Sequence, residues 1–455
     1  MKGLLIGFNI QESVFPLGLS YIKKHTEKNH PDVNIELKEF AYGNRFTFDI
    51  NKNIELQAIA YILTKNPDFV AFSTYIWSIE IIQNIAKAIK QSCKQSNKEI
   101  KIIIGGVEAN QNSLTNDIDF IITGEGEIAF SKLINYLKGN IKLKEVPNLI
   151  YKNKTTHTII KTKEEIIENL DTIPFPYKIK TYKNTTKNII NSKKQNKTKL
   201  KQYFVAIRIE TSRGCPYSCK YCHYAKRKTR NFSINYLEEN IPHLFNNYNF
   251  RNLTIIDANF NINTKRMKQI LDLINEQTNI HSTPENKLSK NLNVNFEVKP
   301  ELITEEQIKI LESYPFQINL EMGLQSTNDK VLKTTTRPYN IKKIKETLKL
   351  LHNSKLKYNL DLMYGLPNDT FLSFLNSVKF ILNYASRQNQ IRAHHFMLLN
   401  NTDFYKENSL YNLSRLNNIN SSMITNTNSQ NPIELWRTKV FIDTINKELN
   451  VLYTK

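Results

Sequence analysis

At 455 residues, with 40% hydrophobic and 23% charged side chains, the chain is long enough for two or three globular cores. A formal net charge of +21 suits acidic partners, but lysine is scattered through a sequence with only 12 glycines. The charge therefore reads first as composition, with nucleic acid as a minor partner class. Four cysteines exclude a disulfide framework and point to a reducing, cytoplasmic setting. No run reaches the length of a membrane span, and MKGLLIGFNI reads as a first strand, not a leader.

Short apolar runs alternate with helical patterns from the start. GLLIGFN (3–9) predicts a strand and PLGLSYIKKHTE (16–27) a helix with Leu17, Tyr21 and Ile22 inward. NIELKEF (34–40) is a strand, 56–65 a helix and FVAFSTY (69–75) a strand. IEIIQNIAKAIKQSC (79–93) is strongly amphipathic, which places Cys93 on the buried side as a small hydrophobe. KIIIGG (101–106) is a strand ending in glycines, and 120–138 reads strand, turn, helix. This alternation predicts a parallel sheet with helices on both faces.

Residues 146–153 and 157–162 suggest a hairpin, and the proline-bearing LDTIPFPY (170–177) a connector. The lysine-rich stretch 180–201 reads as a surface insertion or linker. Six strand-like runs then follow, at 203–210, 252–257, 293–298, 316–321, 358–363 and 392–398, with helical patterns between them. Six β–α units fit an open barrel, whose chemistry sits at the C-terminal strand ends. A long polar loop is expected at 278–292, and a polar tail after about 400 ends in a helix over 433–449.

TSRGCPYSCKYCHYAKRK (211–228) directly follows the first barrel strand and holds Cys215, Cys219 and Cys222 in C-x3-C-x2-C. Zinc usually takes four protein ligands in a closed site, and His223 is awkwardly placed beside Cys222. A [4Fe–4S] cluster takes four thiolates. Three nearby thiols leave one iron free for an exogenous ligand, so this cluster is the leading reading over zinc or inert core cysteines.

On these residues the chain resembles the radical S-adenosylmethionine superfamily. The motif has an aromatic at Tyr221, and FEVKP (296–300), EMGLQSTNDKVLKTTTRPYN (321–340) and DLMYGLPNDT (361–370) follow in the family's order. DANFN lies where the family places a polar strand end, and the likeness spans about 203–400. The resemblance implies S-adenosylmethionine on the fourth iron, cleavage to a 5′-deoxyadenosyl radical, and an electron donor such as flavodoxin or ferredoxin. It places Tyr221, Glu297, Glu321, Gln325, Ser326, Arg337 and Asp361 about the cofactor or substrate. Plainer roles stay open beside these: lysine pairing for Glu297 and Glu321, capping for Asp361, turn formation for Gln325 and Ser326, surface pairing for Arg337.

Residues 1–145 resemble the cobalamin-binding domain found ahead of many such enzymes, through PLGLSYI (16–22), PDFVAFSTYIWSIE (67–80), IIIGGVEA (102–109) and FIITGEGEIAF (120–130). The resemblance implies a cobalamin site at Ser73, Thr74, Gly105, Gly106, Gly124 and Glu125. It has Tyr75 and Trp77 packing on the corrin or on a domain interface. An Asp-x-His-x-x-Gly loop is missing, and FAYGNRF (40–46) has no histidine, so cobalamin is expected without a protein histidine ligand. Methylthiotransferases are excluded, because this domain has only Cys93 and a second all-cysteine cluster needs three.

The expected fold is α/β. A doubly wound Rossmann-like cobalamin-binding domain (1–145) is followed by a hairpin and basic linker (146–202). A partial (β/α)6 TIM-like radical SAM barrel (203–400) and a C-terminal helical extension (401–455) complete it. The function implied is methylation of an unactivated carbon in a small-molecule or peptide substrate, by hydrogen abstraction and methyl transfer from methylcobalamin. Rearrangement or cyclisation, RNA or peptide modification, and a non-catalytic cluster-binding protein are the alternatives.

Overall fold

The computed structural model describes residues 1–453 except 12–13, 44–52, 154, 179–201, 204–205, 225–226, 283–287, 386–389 and 417–421. The basic stretch at 180–201 thus lies outside the described residues. The chain forms two units, 1–205 with 246–249, and 206–245 with 250–455. Among the described residues no helix is long and apolar enough to cross a membrane.

In the first unit, β1 (Lys2–Gln11), β2 (Asn34–Gly43), β3 (Phe69–Ser73), β4 (Lys101–Gly105) and β5 (Phe120–Ile122) run parallel in the order β2-β1-β3-β4-β5. Helices α1 (Leu17–Asn29), α2 (Ile54–Lys65), α3 (Ile79–Gln95) and α4 (Glu127–Leu137) alternate with them. Leu4, Ile6 and Phe8 of β1 join the core beneath α2 and α3, while Leu5 joins the one beneath α1 and α4. Both faces are buried, which is why these strands read as continuous apolar runs. Cys93 lies in the first of these cores, behind Ile82 and Ile89. The hairpin β6 (Leu149–Lys152) and β7 (Ile159–Lys161) is the antiparallel edge of the same sheet, with Ile121 and Ile122 opposite Ile150 and Leu149. Leu17, expected inward, is only half-buried; Leu19 and Tyr21 fill the core side of α1.

The second unit holds β8 (Ile207–Ile209), β9 (Ser212–Cys215), β10 (Arg227–Asn231), β11 (Asn252–Ile255), β12 (Asn293–Val298), β13 (Gln317–Gln325), β14 (Lys357–Tyr364) and β15 (Arg392–His395). Among the described residues, six form one parallel sheet in the order β15-β14-β13-β12-β11-β8. Each neighbours its predecessor in sequence, as in a barrel cut open. Its helices are α5 (Ile234–Asn247), α6 (Thr264–Ile280), α7 (Glu305–Glu312), α8 (Asp329–Thr334), α9 (Ile341–His352), α10 (Phe371–Tyr384) and α11 (Pro432–Tyr453). The first strand is shorter than its apolar run, because Gln202 and Tyr203 pair instead with Tyr248 and Asn249. The polar loop expected from 278 begins later, since α6 continues to Ile280.

Burial along these strands alternates. Val294, Phe296 and Val298 of β12, Ile318, Leu320, Met322 and Leu324 of β13, and Tyr358, Leu360, Leu362 and Tyr364 of β14 are buried. The intervening positions carry Asn295 and Glu297, Asn319 and Glu321, Asn359 and Asp361. Register stacks them: Glu297 opposes Glu321, Glu321 opposes Asn359, and Asp361 opposes Arg392. A parallel sheet packed on both faces shows no such alternation, so the polar face lines a lumen.

The GLPNDT turn after β14 starts α10 through Thr370, whose hydroxyl accepts from Ser373 N at 3.1 Å. Buried Asp369 accepts from Thr370 N at 3.0 Å and from the Ser373 hydroxyl, while its Oδ2 has no partner among the described residues. Burial pushes this carboxyl up to about 6. The folded pKa then exceeds the unfolded one of about 3.9, so folding stability falls as pH rises through that window. Asp369→Asn is expected to gain about 2–3 kcal/mol over wild type above pH 7 and little below pH 4. Urea unfolding at several pH values measures this; a pH-independent difference between the two proteins would contradict it.

Candidate functional site

The cysteine loop leaves β8 and is pinned on all sides. Asp257 is buried after β11 and accepts from Thr211 N at 2.7 Å and Ser212 N at 3.0 Å. It also accepts from both hydroxyls, with Ser212 Oγ at 2.8 Å. β9 and β10 pair with a bulge beside Gly214, whose φ is +94°. A Cβ at Gly214 would lie 2.3 Å from Lys228 O, so only glycine fits. Farther on, Lys220 N donates to Thr335 O at 3.0 Å and Phe404 N donates to Lys220 O at 3.1 Å. Lys220 Nζ pairs with Glu407 at 2.6 Å and reaches Tyr411 OH at 3.2 Å. The segment after 400 thus grips the loop around buried Phe404, although its composition reads as a loose tail.

Cys215 and Cys219 are buried, Cys222 half-buried, and none is in a disulfide. Asn259 Nδ2 donates to Cys215 Sγ at 3.4 Å. Burial raises the Cys215 thiol, and burial with Cys219 and Cys215 nearby pushes Cys222 up to about 11. Metal binding displaces the protons of such thiols, which leave to solvent. Among the described residues no three His, Cys, Asp or Glu side chains converge to hold a single ion. Three thiols on one short loop are a donor set that fits a [4Fe–4S] cluster with one iron left open.

Tyr221, within the loop between Cys219 and Cys222, receives a hydrogen bond from Arg337 Nη1 at 3.3 Å. Arg337 Nη2 also donates to Gly323 O. The side chains of Gln325 and Arg337 fold over Gly323, where a Cβ would lie 2.3 Å from Gln325 Nε2 and 3.5 Å from Arg337 Nη2. Gln325 has φ +69°, a left-handed backbone conformation at the strand end. Ser326 behaves as a turn former: it is buried, and its Oγ accepts from Asn328 N at 3.1 Å.

In the lumen, Arg392 bridges Glu321 at 2.6 Å and Asp361 at 2.9 Å. Asn359 Nδ2 donates to Glu321 Oε1 at 3.0 Å, and His394 Nε2 stands 3.8 Å from Asp361. Glu321 therefore pairs with an arginine, not with the lysine considered from sequence. Glu297 is open to solvent yet hemmed in by protein, as a cavity-wall side chain is. Burial, then Asp361 and Glu321, raise its carboxyl above the usual range.

In the first unit the order β2-β1-β3 makes a topological switch point between β1 and β3, where open α/β sheets bind ligands. Trp77 sits there, its Nε1 donating to Phe8 O at 2.9 Å and its ring stacked on Tyr75 at 4.7 Å. Ser73 and Gly105 are register partners, and Gly124 follows β5 on the same edge. Gly124 has φ +68°, a conformation that favours glycine, and among the described residues only Glu164 lies within 4 Å of a Cβ there. Gly106 is explained by packing, because its Cβ would lie 2.7 Å from Thr74 O. Thr74 donates to Gly105 O at 3.0 Å, and Glu125 accepts from Ile167 N at 2.7 Å, so both anchor their own loops. The edge is a small-residue crevice with an aromatic wall, which fits a large planar ligand. His30 is tied to Ser131 at 2.9 Å, away from this edge.

Sequence reasoning gave Asp257 and Asn259 only as part of a polar strand end, and missed Lys299, Asn359, Arg392 and His394. For Asn359, Arg392 and His394 the signal was strand parity: Asn359 shares that of Asp361, and Arg392 and His394 oppose Asp361 and Met363.

Residues 209–381 match the radical SAM superfamily, and residues 3–134 match the B12 binding domain. The chain is 26% identical over 265 residues to the uncharacterized methyltransferase PH0819 of Pyrococcus horikoshii, covering 55% of this chain and 50% of that protein. It is 23% identical over 348 residues to the cobalamin-dependent radical SAM methyltransferase TokK of Streptomyces tokunonensis, covering 74% of this chain and 47% of that protein. The chain thus spans about half the length of these curated relatives. Its fold is similar to that of the radical S-adenosylmethionine methyltransferase TsrM from Kitasatospora setae, with TM-score 0.67 and 11% identity over 91% of this chain and 78% of that chain. The cofactor set that accompanies these two domains is a [4Fe–4S] cluster, S-adenosylmethionine and cobalamin. With its three-thiol loop at the head of an open barrel and its switch-point strand edge, the chain carries a radical SAM domain with a B12-binding domain ahead of it.

Proposed function

We propose that the chain is a cobalamin-dependent radical SAM methyltransferase acting on an unactivated carbon of a small-molecule or peptide substrate. The observation that carries this is the pairing, in one chain, of the C-x3-C-x2-C loop with a B12-type sheet whose crevice has small residues at the strand ends. The names of PH0819 and TokK as methyltransferases support it, as does the tryptophan substrate of TsrM. Bound together, the three cofactors supply a hydrogen-abstracting carbon radical and a transferable methyl group.

The chain's own residues hold and orient. Cys215, Cys219 and Cys222 would hold three irons of the cluster, and Asn259 Nδ2 orients the Cys215 sulfur. Arg337, with Gln325 and Tyr221, offers donors beside the cluster for the carboxylate and hydroxyls of S-adenosylmethionine. Glu297, Glu321 and Asp361 line the lumen and favour a substrate or cofactor amine. Ser73, Thr74, Gly105, Gly106, Gly124 and Glu125 shape the cobalamin crevice, and Tyr75 with Trp77 forms its wall. A one-electron donor such as flavodoxin or ferredoxin supplies the reducing equivalent.

The test is anaerobic purification from cobalamin-supplemented cells, with iron and corrinoid quantified. Both are expected near stoichiometry, with 5′-deoxyadenosine and S-adenosylhomocysteine released under reduction. Iron without corrinoid, even after reconstitution, overturns methyl transfer.

A further inference from the structure

Lys299 follows β12 and is buried, with 7% of its side chain exposed. Its backbone is clamped by Asn261, which accepts from Lys299 N at 3.0 Å and donates to Lys299 O at 3.1 Å. That clamp sends the side chain toward the cysteine loop. The ammonium lies 4.5 Å from the centre of the Tyr217 ring, within the Cys215–Cys219 span. It donates to Pro338 O at 2.7 Å and stands 3.4 Å from Glu301, also buried. Arg337, next to Pro338, is the second cation of this wall and acts electrostatically on Cys215 and on Lys299.

A buried charge is costly unless it is paired and hydrogen-bonded, and Glu301 with Pro338 O supplies both here. The pair leaves the ammonium against the cysteine loop, over the Tyr217 ring. One-electron reduction of the cluster, by the external donor named above, adds one negative charge beside this loop. A fixed cation in a low-dielectric surrounding favours that added charge. Cluster potentials follow net charge and the groups around the sulfurs.

We propose that Lys299 is a positioning residue that raises the reduction potential of the cluster, its ammonium held against the cysteine loop by Tyr217, Pro338 O and Glu301. The inference rests on the cluster assignment above.

The test is an EPR-monitored redox titration of anaerobically reconstituted full-length protein, with iron and sulfide quantified. Lys299→Met is expected to keep its iron and to need a potential lower by about 59 mV or more, a tenfold change in reduced fraction for one electron. Lys299→Arg keeps the charge and should titrate near wild type. Glu301→Gln removes the counter-charge and should shift the midpoint upward. Unchanged midpoints in Lys299→Met and Glu301→Gln, with full iron, overturn the proposal. If Lys299→Met loses iron, Glu301→Gln decides on the same criterion. Wild-type protein without cluster iron would instead remove the cluster assignment itself.

Discussion

Replacing Cys215, Cys219 and Cys222 with alanine is expected to strip the chain of its cluster. Iron falls from about four per chain to background, the thiolate-to-iron absorption disappears, and S-adenosylmethionine cleavage is lost. Each single variant should lose most of its iron, because two thiols cannot hold the cube against solvent. The fold should survive: Cys215 and Cys219 are small buried groups in a loop pinned by Asp257, Thr335 and Phe404. Cys93→Ala is the control, since Cys93 belongs to the core beneath α3 in the other unit. Iron analysis beside circular dichroism separates ligation from folding. Full iron in the triple variant would sink the site, and iron loss in Cys93→Ala would show the core reading to be wrong.

Asp257→Ala should be the most damaging single change outside the thiols. It leaves the buried amides of Thr211 and Ser212 without an acceptor and frees the entry to the cysteine loop. The expected cost is about 3–5 kcal/mol. For a unit of this size that lowers the melting temperature by roughly 10 °C. Asp257→Asn keeps an acceptor for both amides, and the two hydroxyls can turn to accept from its amide nitrogen, so less than half that loss is expected. Thermal unfolding of both variants is the check. A melting temperature for Asp257→Ala within a degree or two of wild type would mean the loop is held elsewhere.

Much of this architecture was legible in the sequence, and the reasons are local. The first unit's strands are buried on both faces, so they appear as unbroken apolar runs. α3 repeats its isoleucines with helical spacing down to Cys93. The six barrel strands were found, with ends shifted where pairing and not hydrophobicity sets the limit, as in β8. The thiol loop was legible because three cysteines at that spacing have few uses. The lumen partners were less so. Arg392 and His394 become neighbours of Asp361 only through the register between β14 and β15. Lys299 looks like any surface lysine until Asn261 turns it inward. The grip of Phe404 on Lys220 joins residues far apart in the chain, which no local pattern encodes.

The alternation along β12, β13 and β14 divides labour within each strand. Phe296, Leu320 and Leu360 hold the sheet to its helices, while Asn295, Asn319 and Asn359 face the lumen and contribute little to that packing. Substitutions at the second set have small effect on folding, whereas the first set tolerates few. Under the proposed function, a lineage with this scaffold can change its lumen by single replacements on the polar face, those nearest the C-terminal strand ends bearing most on substrate, without first acquiring a more stable fold.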